Sequence, residues 1–556
     1  MNADRTPPHS ILEIRDLTVR LPPGGDRTNA VENVSMHVNA GEIVCVVGES
    51  GSGKSVTAQT VIGLLPREQL TPTSGSVIFE GEDVLTLSRE RMRGLRGKRI
   101  SMIFQEPMTA LNPVVRVGRQ IAEVFRSHGL EPGRGGMPSI SDLLESVRLP
   151  EPERLQNSYP HQLSGGQRQR IMIAMALALS PSLLLADEPT TALDVTTQAR
   201  ILKLIREMQD RYHNGVLFIT HDFGVVAEIA DRVVVMRDGQ VVEQGPTDRI
   251  LRNPQQDYTR MLISAVPSMV PAKRKLAPDA PVALRTENLA KTYGGGSWFR
   301  KGWEVKAAEA VNLELRRGQT LGIVGESGSG KSTVARCVVR LIDPTGGKVY
   351  LGDTEIGNVR LRELKPMRKR IQIIFQDPYR SLNPRRSIGK SLIEGPTNFG
   401  VPEREAWARA VQLLEIVGID PDAHARFPHQ FSGGQRQRIC IARALAMEPD
   451  VLVADEAVSA LDVSVQAQVL DLLTDIRDRF DLSVLFITHD LRVAAQVCDS
   501  VAVMHQGRVV EYEPVEQLFA APTHPYTREL LAAAPGRHWN FQAFCEATET
   551  VAALDG

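Results

Sequence analysis

The sequence lacks an excess of charge of either sign. Its 65 lysine and arginine residues almost balance its 66 aspartate and glutamate residues, and the formal net charge is −1. Proteins that bind the phosphates of nucleic acids generally concentrate basic residues. The balance therefore argues against a nucleic-acid partner.

Long hydrophobic runs are also missing. The longest apolar stretch, from Ile171 to Ala186, is interrupted by Ser180, Pro181 and Ser182, and it is shorter than the ~20 residues of a membrane-spanning helix. It predicts the end of a buried helix followed by a buried strand. We expect no membrane span in this chain, and no secretion either, because the first eight residues contain no apolar signal core.

Cysteine and aromatic residues are scarce. Aromatic residues amount to 5% of the chain, and none precedes Gly48. None of the five cysteines has a Cys-x-x-Cys spacing, which predicts buried thiols in a reducing cytosol and no metal cluster. The cysteines are Cys45, Cys337, Cys440, Cys498 and Cys545.

A glycine-rich octet occurs twice with the same letters, at Gly48–Ser55 and at Gly325–Ser332. The pattern G-x-x-x-x-G-K-[ST] forms a phosphate loop, because its glycines let backbone N–H groups approach phosphate oxygens. Each octet follows a strand-like segment, 42–47 or 320–324, and precedes a helix-like one that we expect from Val56 or Thr333. The dipole of that helix favours anions at its start. The chain therefore predicts two nucleotide sites.

Each loop supplies most of the predicted ATP-binding residues of its half. The lysine would reach the β- and γ-phosphates, and the last serine would offer its hydroxyl to Mg²⁺. The predicted residues are Gly48, Glu49, Ser50, Gly51, Ser52, Gly53, Lys54, Ser55 and Val56 in the first half, and Gly325, Glu326, Ser327, Gly328, Ser329, Gly330, Lys331, Ser332 and Thr333 in the second.

The repeat extends over most of the chain. Gly48 and Gly325 are 277 positions apart, and Ser164 and Ser432, which open a second repeated segment, are 268 apart. A period this long indicates a duplicated domain, and roughly 250 residues per copy suffice for a separate core. We predict a first domain over 10–267, a linker over 268–282, a second domain over 283–535 and a C-terminal tail over 536–556.

Alternation of apolar runs with helical patterns predicts an α/β fold with a mostly parallel sheet in each domain. Segments 183–186 and 216–219 and their counterparts are expected to be central strands. Helical periodicity dominates about 106–162 and 377–430, which we predict to be small helical lobes. The Pro-, Ala- and Lys-rich segment 268–282 predicts a short, semi-stiff, exposed linker.

Polar side chains that follow the apolar strands carry the predicted chemistry. An aspartate would hold Mg²⁺, directly or through water, and the next glutamate would orient and polarise the attacking water. A histidine would hydrogen-bond the γ-phosphate and report its loss, and a glutamine would contact Mg²⁺ and the water. In chain order these are Gln105, Asp187, Glu188 and His221, and then Gln376, Asp455, Glu456 and His489.

A serine caps a long helix in each half and creates a second anion-binding surface. The segment Ser-Gly-Gly-Gln begins a helix whose first N–H groups lack partners within the helix. If one ATP lay between the phosphate loop of one half and this segment of the other, both surfaces would be used. The predicted contacts are Ser164, Gly165, Gly166 and Gln167, and Ser432, Gly433, Gly434 and Gln435.

In this order, and twice over, the motifs resemble the ABC ATPase family. The octets resemble Walker A, the Asp-Glu pairs Walker B, and Ser-Gly-Gly-Gln the signature motif, while Thr191–Asp194 and Ser459–Asp462 resemble D-loops. The resemblance implies two P-loop NTPase domains in tandem, each with a small antiparallel β part and a helical lobe. It also implies ATP and Mg²⁺ as cofactors and the hydrolysis of ATP to ADP and phosphate.

A narrower resemblance points to the branch that serves dipeptide, oligopeptide, nickel and glutathione importers. It is carried by Gln105–Pro113, Gln376–Pro384 and Pro522–Pro535, with a weaker copy of the last at Asp257–Pro267. Phosphate chemistry requires none of these stretches, so permease docking and support of the fold both remain open. The branch implies two integral-membrane permease subunits, an extracytoplasmic solute-binding protein and a peripheral position on the cytoplasmic face of the inner membrane.

Other tandem ATPases are alternatives. Soluble tandem ABC proteins that act on ribosomes or DNA resemble this chain in duplication and in lacking spans. They usually carry a long charged helical segment between domains, or large insertions with zinc-binding cysteines, which this sequence lacks. An ATPase of an exporter is disfavoured only by the importer-like segments.

The sequence departs from the family pattern near the adenine and near the domain ends. The family stacks adenine on an aromatic residue before Walker A, a role that Tyr293 suits in the second half, with Trp298 as an alternative. Leu21 holds the equivalent place in the first half. Some relatives carry a cysteine cluster near the end of one half, but the segment after Pro267 has none and Cys545 stands alone, so we predict no iron–sulfur cluster.

We predict that the first site binds ATP more weakly than the second, because it lacks a stacking contact worth on the order of 1 kcal/mol. The Lys331→Ala variant retains the first site and the Lys54→Ala variant retains the second. Titration with a fluorescent ATP analogue should show roughly fivefold weaker binding to Lys331→Ala than to Lys54→Ala. Equal affinities would contradict the prediction.

Overall fold

A computed structural model describes residues 10–24, 27–66, 68–105, 110–191, 193–272, 274, 279–295, 303–459, 461–539 and 541. The chain forms two compact units. Within the described residues, the first unit contains those up to Leu193, Thr197–Val266 and those from Pro535 onward, and the second contains Asp194–Thr196 and Pro267–Ala534. The described part of the predicted tail thus groups with the first unit, while the predicted domain and lobe boundaries stay predictions.

The strands of the first unit form two sheets. They are β1 Ser10–Arg20, β2 Asn29–Asn39, β3 Ile43–Val47, β4 Thr71–Phe79, β5 Glu82–Asp83, β6 Ile100–Ile103, β7 Leu183–Asp187, β8 Gly215–Ile219, β9 Arg232–Arg237 and β10 Gln240–Pro246. The smaller sheet is antiparallel in the order β2-β1-β4-β5, and the larger has the order β10-β9-β3-β8-β7-β6. All neighbours in the larger sheet are parallel except β9 and β10.

Helices cover the larger sheet and fill the segment that the sequence assigns to a lobe. Between residues 110 and 162 the described elements are helical. The helices of the first unit are Lys54–Val61, Arg89–Leu95, Val117–Arg126, Ile140–Ser146, Pro152–Leu155, Gly165–Leu177, Val195–Tyr212, Phe223–Ile229, Thr247–Arg252 and Asp257–Ser264, with a 3₁₀ turn at Pro160–Gln162.

The second unit repeats both sheets in the same strand order. Its strands are β11 Val282–Gly295, β12 Trp303–Arg316, β13 Thr320–Val324, β14 Gly346–Leu351, β15 Thr354–Glu355, β16 Ile371–Ile374, β17 Val451–Asp455, β18 Ser483–Ile487, β19 Ser500–His505 and β20 Arg508–Pro514. The sheets run β12-β11-β14-β15 and β16-β17-β18-β13-β19-β20. The α/β class with a small antiparallel part is confirmed.

The helices of the second unit repeat those of the first, with only helical elements between residues 377 and 430 in the described chain. They are Lys331–Val338, Leu361–Arg370, Pro378–Ser381, Ile388–Asn398, Glu403–Ile416, Gly433–Leu445, Val463–Phe480, Leu491–Val497, Val515–Ala520 and Pro525–Ala532, with 3₁₀ turns at Pro421–Ala425 and Pro428–Gln430.

The central strands are buried along their whole length. Every residue of β3, β7 and β8, and of β13, β17 and β18, is buried. Strands covered on both faces have apolar side chains on both, which explains their continuous apolar sequences. No described helix is both long and apolar enough to span a bilayer.

Described residues of the predicted linker make contacts with the second unit, although Val270 is 72% exposed. These residues group with the second unit, where the Ala272 N–H donates to the Ala495 carbonyl at 3.0 Å. The Arg274 guanidinium donates to the Val497 carbonyl at 3.0 Å and the Gln496 carbonyl at 3.4 Å, at the C-terminal end of helix Leu491–Val497. A cation is favourable there because the last carbonyls of a helix lack partners.

Candidate active sites

The phosphate loops lie between a central strand and a helix in both units. The first follows β3 and leads into helix Lys54–Val61, and the second follows β13 and leads into helix Lys331–Val338. Both helices begin two residues before the predicted starts, because Gly53 and Gly330 serve as N-caps with φ of 99° and 103°. The lysine and serine thus stand in the first turn, where the helix dipole favours anions.

Close backbone contacts explain why the loop requires glycine at particular positions. Gly48 has a φ of 151°, and a Cβ there would lie 2.1 Å from the Met236 carbonyl oxygen. A Cβ on Gly53 would lie 2.7 Å from the Ala30 carbonyl oxygen, whereas Gly51 faces open space. The second loop has the same contacts: a Cβ on Gly325 would lie 2.2 Å from Met504 O, and one on Gly330 would lie 2.0 Å from Ala307 O.

The lysine of each loop is buried against the carbonyls at the loop's start. Lys54 Nζ donates to the Gly48 carbonyl at 2.7 Å and the Glu49 carbonyl at 2.8 Å. Lys331 Nζ makes the same two contacts at 2.8 Å each, and burial lowers the pKa of this lysine. The ammonium group therefore stands at the start of the loop, from which it would reach the β- and γ-phosphates.

Two oxygens that suit Mg²⁺ meet at the carboxyl ends of β3 and β7. Ser55 Oγ donates to Asp187 Oδ1 at 2.9 Å, and Ser332 Oγ makes the same bond to Asp455 Oδ1 at 2.9 Å. Burial raises the pKa of both aspartates, and a bound cation would favour their charged form. A hydroxyl and a carboxylate beside a phosphate loop fit Mg²⁺, which takes few protein ligands and shares the phosphate oxygens.

Three side chains surround the carboxylate of Glu188. Gln105 Nε2 and Thr191 Oγ1 donate to Glu188 Oε2 at 2.9 Å each, and His221 Nδ1 lies 3.4 Å from Glu188 Oε1. Burial opposes ionisation, but the hydrogen bond and charge of His221, the Thr191 hydroxyl and the charge of Lys54 lower the pKa of Glu188 to about 2. Glu188 is therefore an ionised acceptor, as a residue that polarises water must be.

Among the residues that the structure describes, the second carboxylate has one contact fewer. Gln376 Nε2 donates to Glu456 Oε2 at 2.9 Å, and His489 Nδ1 lies 3.5 Å from it. Burial opposes ionisation of Glu456, but the hydrogen bond and charge of His489 outweigh it and lower the pKa of Glu456. Burial also opposes charging of His489, but the hydrogen bond and charge of Glu456 raise the pKa of His489. The Ser459 hydroxyl donates to the Glu456 backbone carbonyl at 3.0 Å instead of the carboxylate.

Both glutamates have left-handed backbones, with φ of 46° at Glu188 and 50° at Glu456. Such a conformation costs on the order of 1 kcal/mol for a residue with a side chain, and strain of this kind concentrates at functional sites. The backbone N–H of each glutamate donates to a carbonyl at the end of the neighbouring strand, from Glu188 to Ile219 and from Glu456 to Ile487, at 3.0 Å. The strand end therefore fixes where the carboxylate stands.

The Ser-Gly-Gly-Gln segments begin helices as predicted. Ser164 Oγ accepts from the Gln167 N–H at 3.3 Å, and Gln167 Oε1 accepts from the Ser164 N–H at 2.9 Å. Gly165 faces open space, whereas a Cβ on Gly166 would lie 2.8 Å from Thr197 Cγ2. In the second unit the corresponding residues Ser432, Gln435, Gly433 and Gly434 repeat the cap, and a Cβ on Gly434 would lie 2.3 Å from Val465 Cγ1.

The β register supports the equivalence of Leu21 and Tyr293. Tyr293 pairs with Val305 on β12, and the Leu21 N–H donates to the Thr28 carbonyl at the corresponding place. Trp298, the alternative to Tyr293, lies outside the described residues. In the first unit Arg27 donates to the Gly51 carbonyl, a contact with the phosphate loop that sequence reasoning missed.

The described cysteines form no cluster. Cys45, Cys337, Cys440 and Cys498 are free and buried, and burial raises the pKa of the Cys337 and Cys440 thiols to about 11. No group of three or more His, Cys, Asp or Glu residues suited to a metal occurs in the described chain. Because Cys545 lies outside it, the absence of an iron–sulfur cluster stays a prediction.

We predict that the Thr191 hydroxyl supports hydrolysis only at the first phosphate loop. The Thr191→Val substitution removes the bond to the ionised Glu188 carboxylate, and a hydrogen bond to a charged group, worth ~1.5–3 kcal/mol, corresponds to a rate roughly 10- to 100-fold lower. We would measure ATP turnover in a Glu456→Gln background. The matched control is Ser459→Ala in a Glu188→Gln background, which leaves the Glu456 carboxylate contacts intact; equal losses in both would contradict the prediction.

Comparisons with known proteins agree with this arrangement. A model described as "ABC transporter" matches residues 31–191 and 308–459, and one described as "Oligopeptide/dipeptide transporter, C-terminal region" matches 242–299 and 510–543. The chain is 45% identical over 566 residues to the "Glutathione import ATP-binding protein GsiA" of Escherichia coli O157:H7, covering 96% of this chain and 91% of that protein. It is 46% identical over 530 residues to the "Peptidoglycan transport ATP-binding protein YejF" of Agrobacterium fabrum, covering 94% of this chain and 96% of that protein.

A solved structure is similar to less than half of this chain. The CbiO1 protein of Clostridium perfringens, described as part of the ABC transporter complex CbiONQ, is 29% identical with a TM-score of 0.38, over 43% of this chain and 92% of that one. The two family matches and the identity along nearly the whole length identify the family. This chain belongs to the ABC transporter ATP-binding proteins, as an ATP hydrolase with two ATP-binding domains in one polypeptide.

Proposed function

We propose that the chain is the energy-coupling ATPase of an importer for peptides or related small solutes, such as glutathione or nickel chelates. The observation that carries the proposal is the 45% identity to a glutathione import ATP-binding protein over 96% of the chain. The doubled match to the oligopeptide/dipeptide transporter C-terminal region supports the same branch. Both relatives named above are transport proteins, which disfavours a role on ribosomes or DNA.

The proposed partners follow from this role. Two integral-membrane permeases would carry the solute, a solute-binding protein outside the membrane would deliver it, and the chain would lie on the cytoplasmic face of the inner membrane. Exposed apolar side chains near the helical segments, Val114 at 79% and Tyr379 at 63% exposure, are available for such contacts.

We assign ATP hydrolysis to side chains that lie close together at each phosphate loop. Lys54 would reach the phosphates, and Glu188 would accept a hydrogen bond from water and direct it at the γ-phosphorus. His221 would contact the γ-phosphate and register its loss. When bound, Mg²⁺ neutralises developing phosphate charge, and Ser55 and Asp187 are placed to hold it. Lys331, Ser332, Asp455, Glu456 and His489 would act in the same way.

We further propose that each ATP is enclosed by the phosphate loop of one half and the Ser-Gly-Gly-Gln helix start of the other. Each unit presents both kinds of anion-binding surface. The N–H groups of Gly165 and Gly433 lie in first helical turns, which have no intrahelical acceptors. Two complementary surfaces per unit give a physical reason for having two units in one chain.

The importer role predicts which proteins bind the chain. We expect the Glu188→Gln, Glu456→Gln double variant, which should retain ATP, to copurify from detergent-solubilised membranes of its source with two multi-span proteins in equal amounts. Vesicles containing this complex with wild-type chain and the binding protein should take up labelled dipeptide, glutathione or nickel chelate when ATP is enclosed on the ATPase side. The Lys54→Ala, Lys331→Ala variant is the inactive control. Recovery of ribosomal subunits or DNA instead would favour the alternative role.

The shared-site proposal predicts crossed effects of the signature serines. In a Lys54→Ala background only the Lys331 loop binds nucleotide. Ser164→Arg should then weaken binding of a non-hydrolysable ATP analogue at least tenfold, because contacts to charged phosphate are worth ~1.5–3 kcal/mol. Ser432→Arg, the matched control, should leave the affinity of the Lys331 loop unchanged. The reverse pattern would mean that each ATP is enclosed by a single half.

A further inference from the structure

A tyrosine hydroxyl touches the start of each phosphate loop. The Glu49 N–H donates to Tyr258 Oη at 3.4 Å, and Tyr258 Oη donates to Glu49 Oε2 at 3.3 Å. In the second unit the Glu326 N–H donates to Tyr526 Oη at 3.1 Å. Both tyrosines belong to Tyr-Thr-Arg segments within the regions matched to the oligopeptide/dipeptide transporter C-terminal region. Phosphate chemistry alone did not predict a role for these segments.

The tyrosine rings pack on the strand ends that also contact the loops. The Arg237 guanidinium lies 4.9 Å from the centroid of the Tyr258 ring, and the His505 ring stacks on Tyr526 at 4.0 Å and 18°. Arg237 and His505 directly follow the methionines whose carbonyls approach Gly48 and Gly325. Strand end, tyrosine and loop therefore form one packed contact in each unit.

Both hydroxyls stay protonated near neutral pH. Burial raises the pKa of Tyr526 to about 12, and it raises that of Tyr258 as well. A neutral hydroxyl can accept the backbone N–H of the loop and keep its own proton for a second partner.

A buried glutamate anchors the helix that carries the first tyrosine. Glu243 on β10 accepts from the N–H groups of Gln255 at 2.9 Å and Gln256 at 3.2 Å, just before helix Asp257–Ser264. Arg260, two residues after the tyrosine, donates to the Gln255 carbonyl at 2.9 Å. The turn is held from both sides, so the tyrosine is fixed relative to the sheet.

The second unit builds the same anchor from a different turn sequence. Glu511 accepts from the N–H groups of Thr523 at 2.7 Å and His524 at 3.1 Å, and Arg528 donates to the Thr523 carbonyl at 2.8 Å. Glutamate, tyrosine and arginine recur 268 positions apart, from Glu243, Tyr258 and Arg260, while the turn residues between them differ. The shared part is therefore the connection from the sheet through the tyrosine to the loop.

We propose that Tyr258 and Tyr526 are positioning residues for ATP binding. The carbonyls of Gly48 and Glu49 are held by Lys54, a side chain that also has to serve the phosphates. The tyrosine hydroxyl keeps hold of the Glu49 N–H and so preserves the loop conformation that ATP requires. A loop held in its binding conformation loses less conformational entropy on binding. The inference rests only on the loops binding ATP.

The test removes each hydroxyl and keeps its ring. In a Lys331→Ala background, Tyr258→Phe should weaken ATP-analogue binding to the first loop by roughly 3- to 10-fold, the range expected for one hydrogen bond. In a Lys54→Ala background, Tyr526→Phe should do the same to the second loop. With both wild-type loops, the Tyr258→Phe, Tyr526→Phe variant should raise KM for ATP and leave kcat unchanged.

Crossed and surface controls separate positioning from folding. Tyr258→Phe in the Lys54→Ala background should leave the second loop's affinity unchanged, and Tyr212→Phe, at an exposed tyrosine, should change neither affinity. Tm should fall by no more than a few degrees for Tyr258→Phe and Tyr526→Phe, because each loses its hydroxyl's bond to the loop, and it should not change for Tyr212→Phe. Unchanged affinity, or a loss that appears equally at both loops together with a larger fall in Tm, would overturn the proposal. Loss of all binding in the Lys54→Ala, Lys331→Ala variant separately verifies that the loops bind ATP.

Discussion

The close approach of each phosphate loop to the neighbouring strand is the constraint on which both sites depend. A Cβ on Gly48 would lie 2.1 Å from the Met236 carbonyl oxygen and one on Gly53 would lie 2.7 Å from that of Ala30, so neither position has room for a side chain. These contacts keep the loop's backbone in a left-handed course that only glycine adopts freely. Because β8 lies between β3 and β7 in the sheet, the loop stands near the strand ends that carry the histidine, after β8, and the Asp-Glu pair, after β7. Packing of the backbone therefore positions the loop and the side chains at the strand ends without a bound ligand.

The two sites share their octets and most contacts of the lysine, serine and glutamine. Within the loops, Lys54 Nζ also donates to Ser52 Oγ at 3.3 Å, whereas Ser329 Oγ has no hydrogen-bond partner among the described residues. A difference outside the octets concerns the carboxylate. The Thr191 hydroxyl donates to the Glu188 carboxylate, whereas the Ser459 hydroxyl donates to the Glu456 backbone carbonyl. Arg27 donates to the first loop at the Gly51 carbonyl, and Leu21 holds the strand position that Tyr293 has in the second unit. The duplicated domains have therefore kept the phosphate chemistry and diverged in the groups that tune base stacking and the carboxylate.

Local sequence predicted most of the fold and the centre of each site. Buried strands of the parallel sheet have continuous apolar sequences, and the Ser164 cap has its side-chain partner three residues away. Residues close in sequence therefore determine both features. Helix starts were placed two residues late because Gly53 and Gly330 end their loops as N-caps, which depends on φ and not on residue type alone. Tyr258 and Arg27 could not be predicted, because their contacts with the loop join residues far apart in sequence or within an irregular turn.

The tyrosine contacts bear on the two roles left open for the importer-like segments, which are support of the fold and permease docking. Support of the fold is visible in the buried glutamates, which bind the helix starts of the Tyr-Thr-Arg segments. The same helices touch the loops, while Met261, on the first of them, is 41% exposed. In each unit the buried glutamate supports the fold and the tyrosine hydroxyl contacts the loop, so these two tasks lie on different residues. The exposed side of the same helix is then the part of the segment that is free for permease docking.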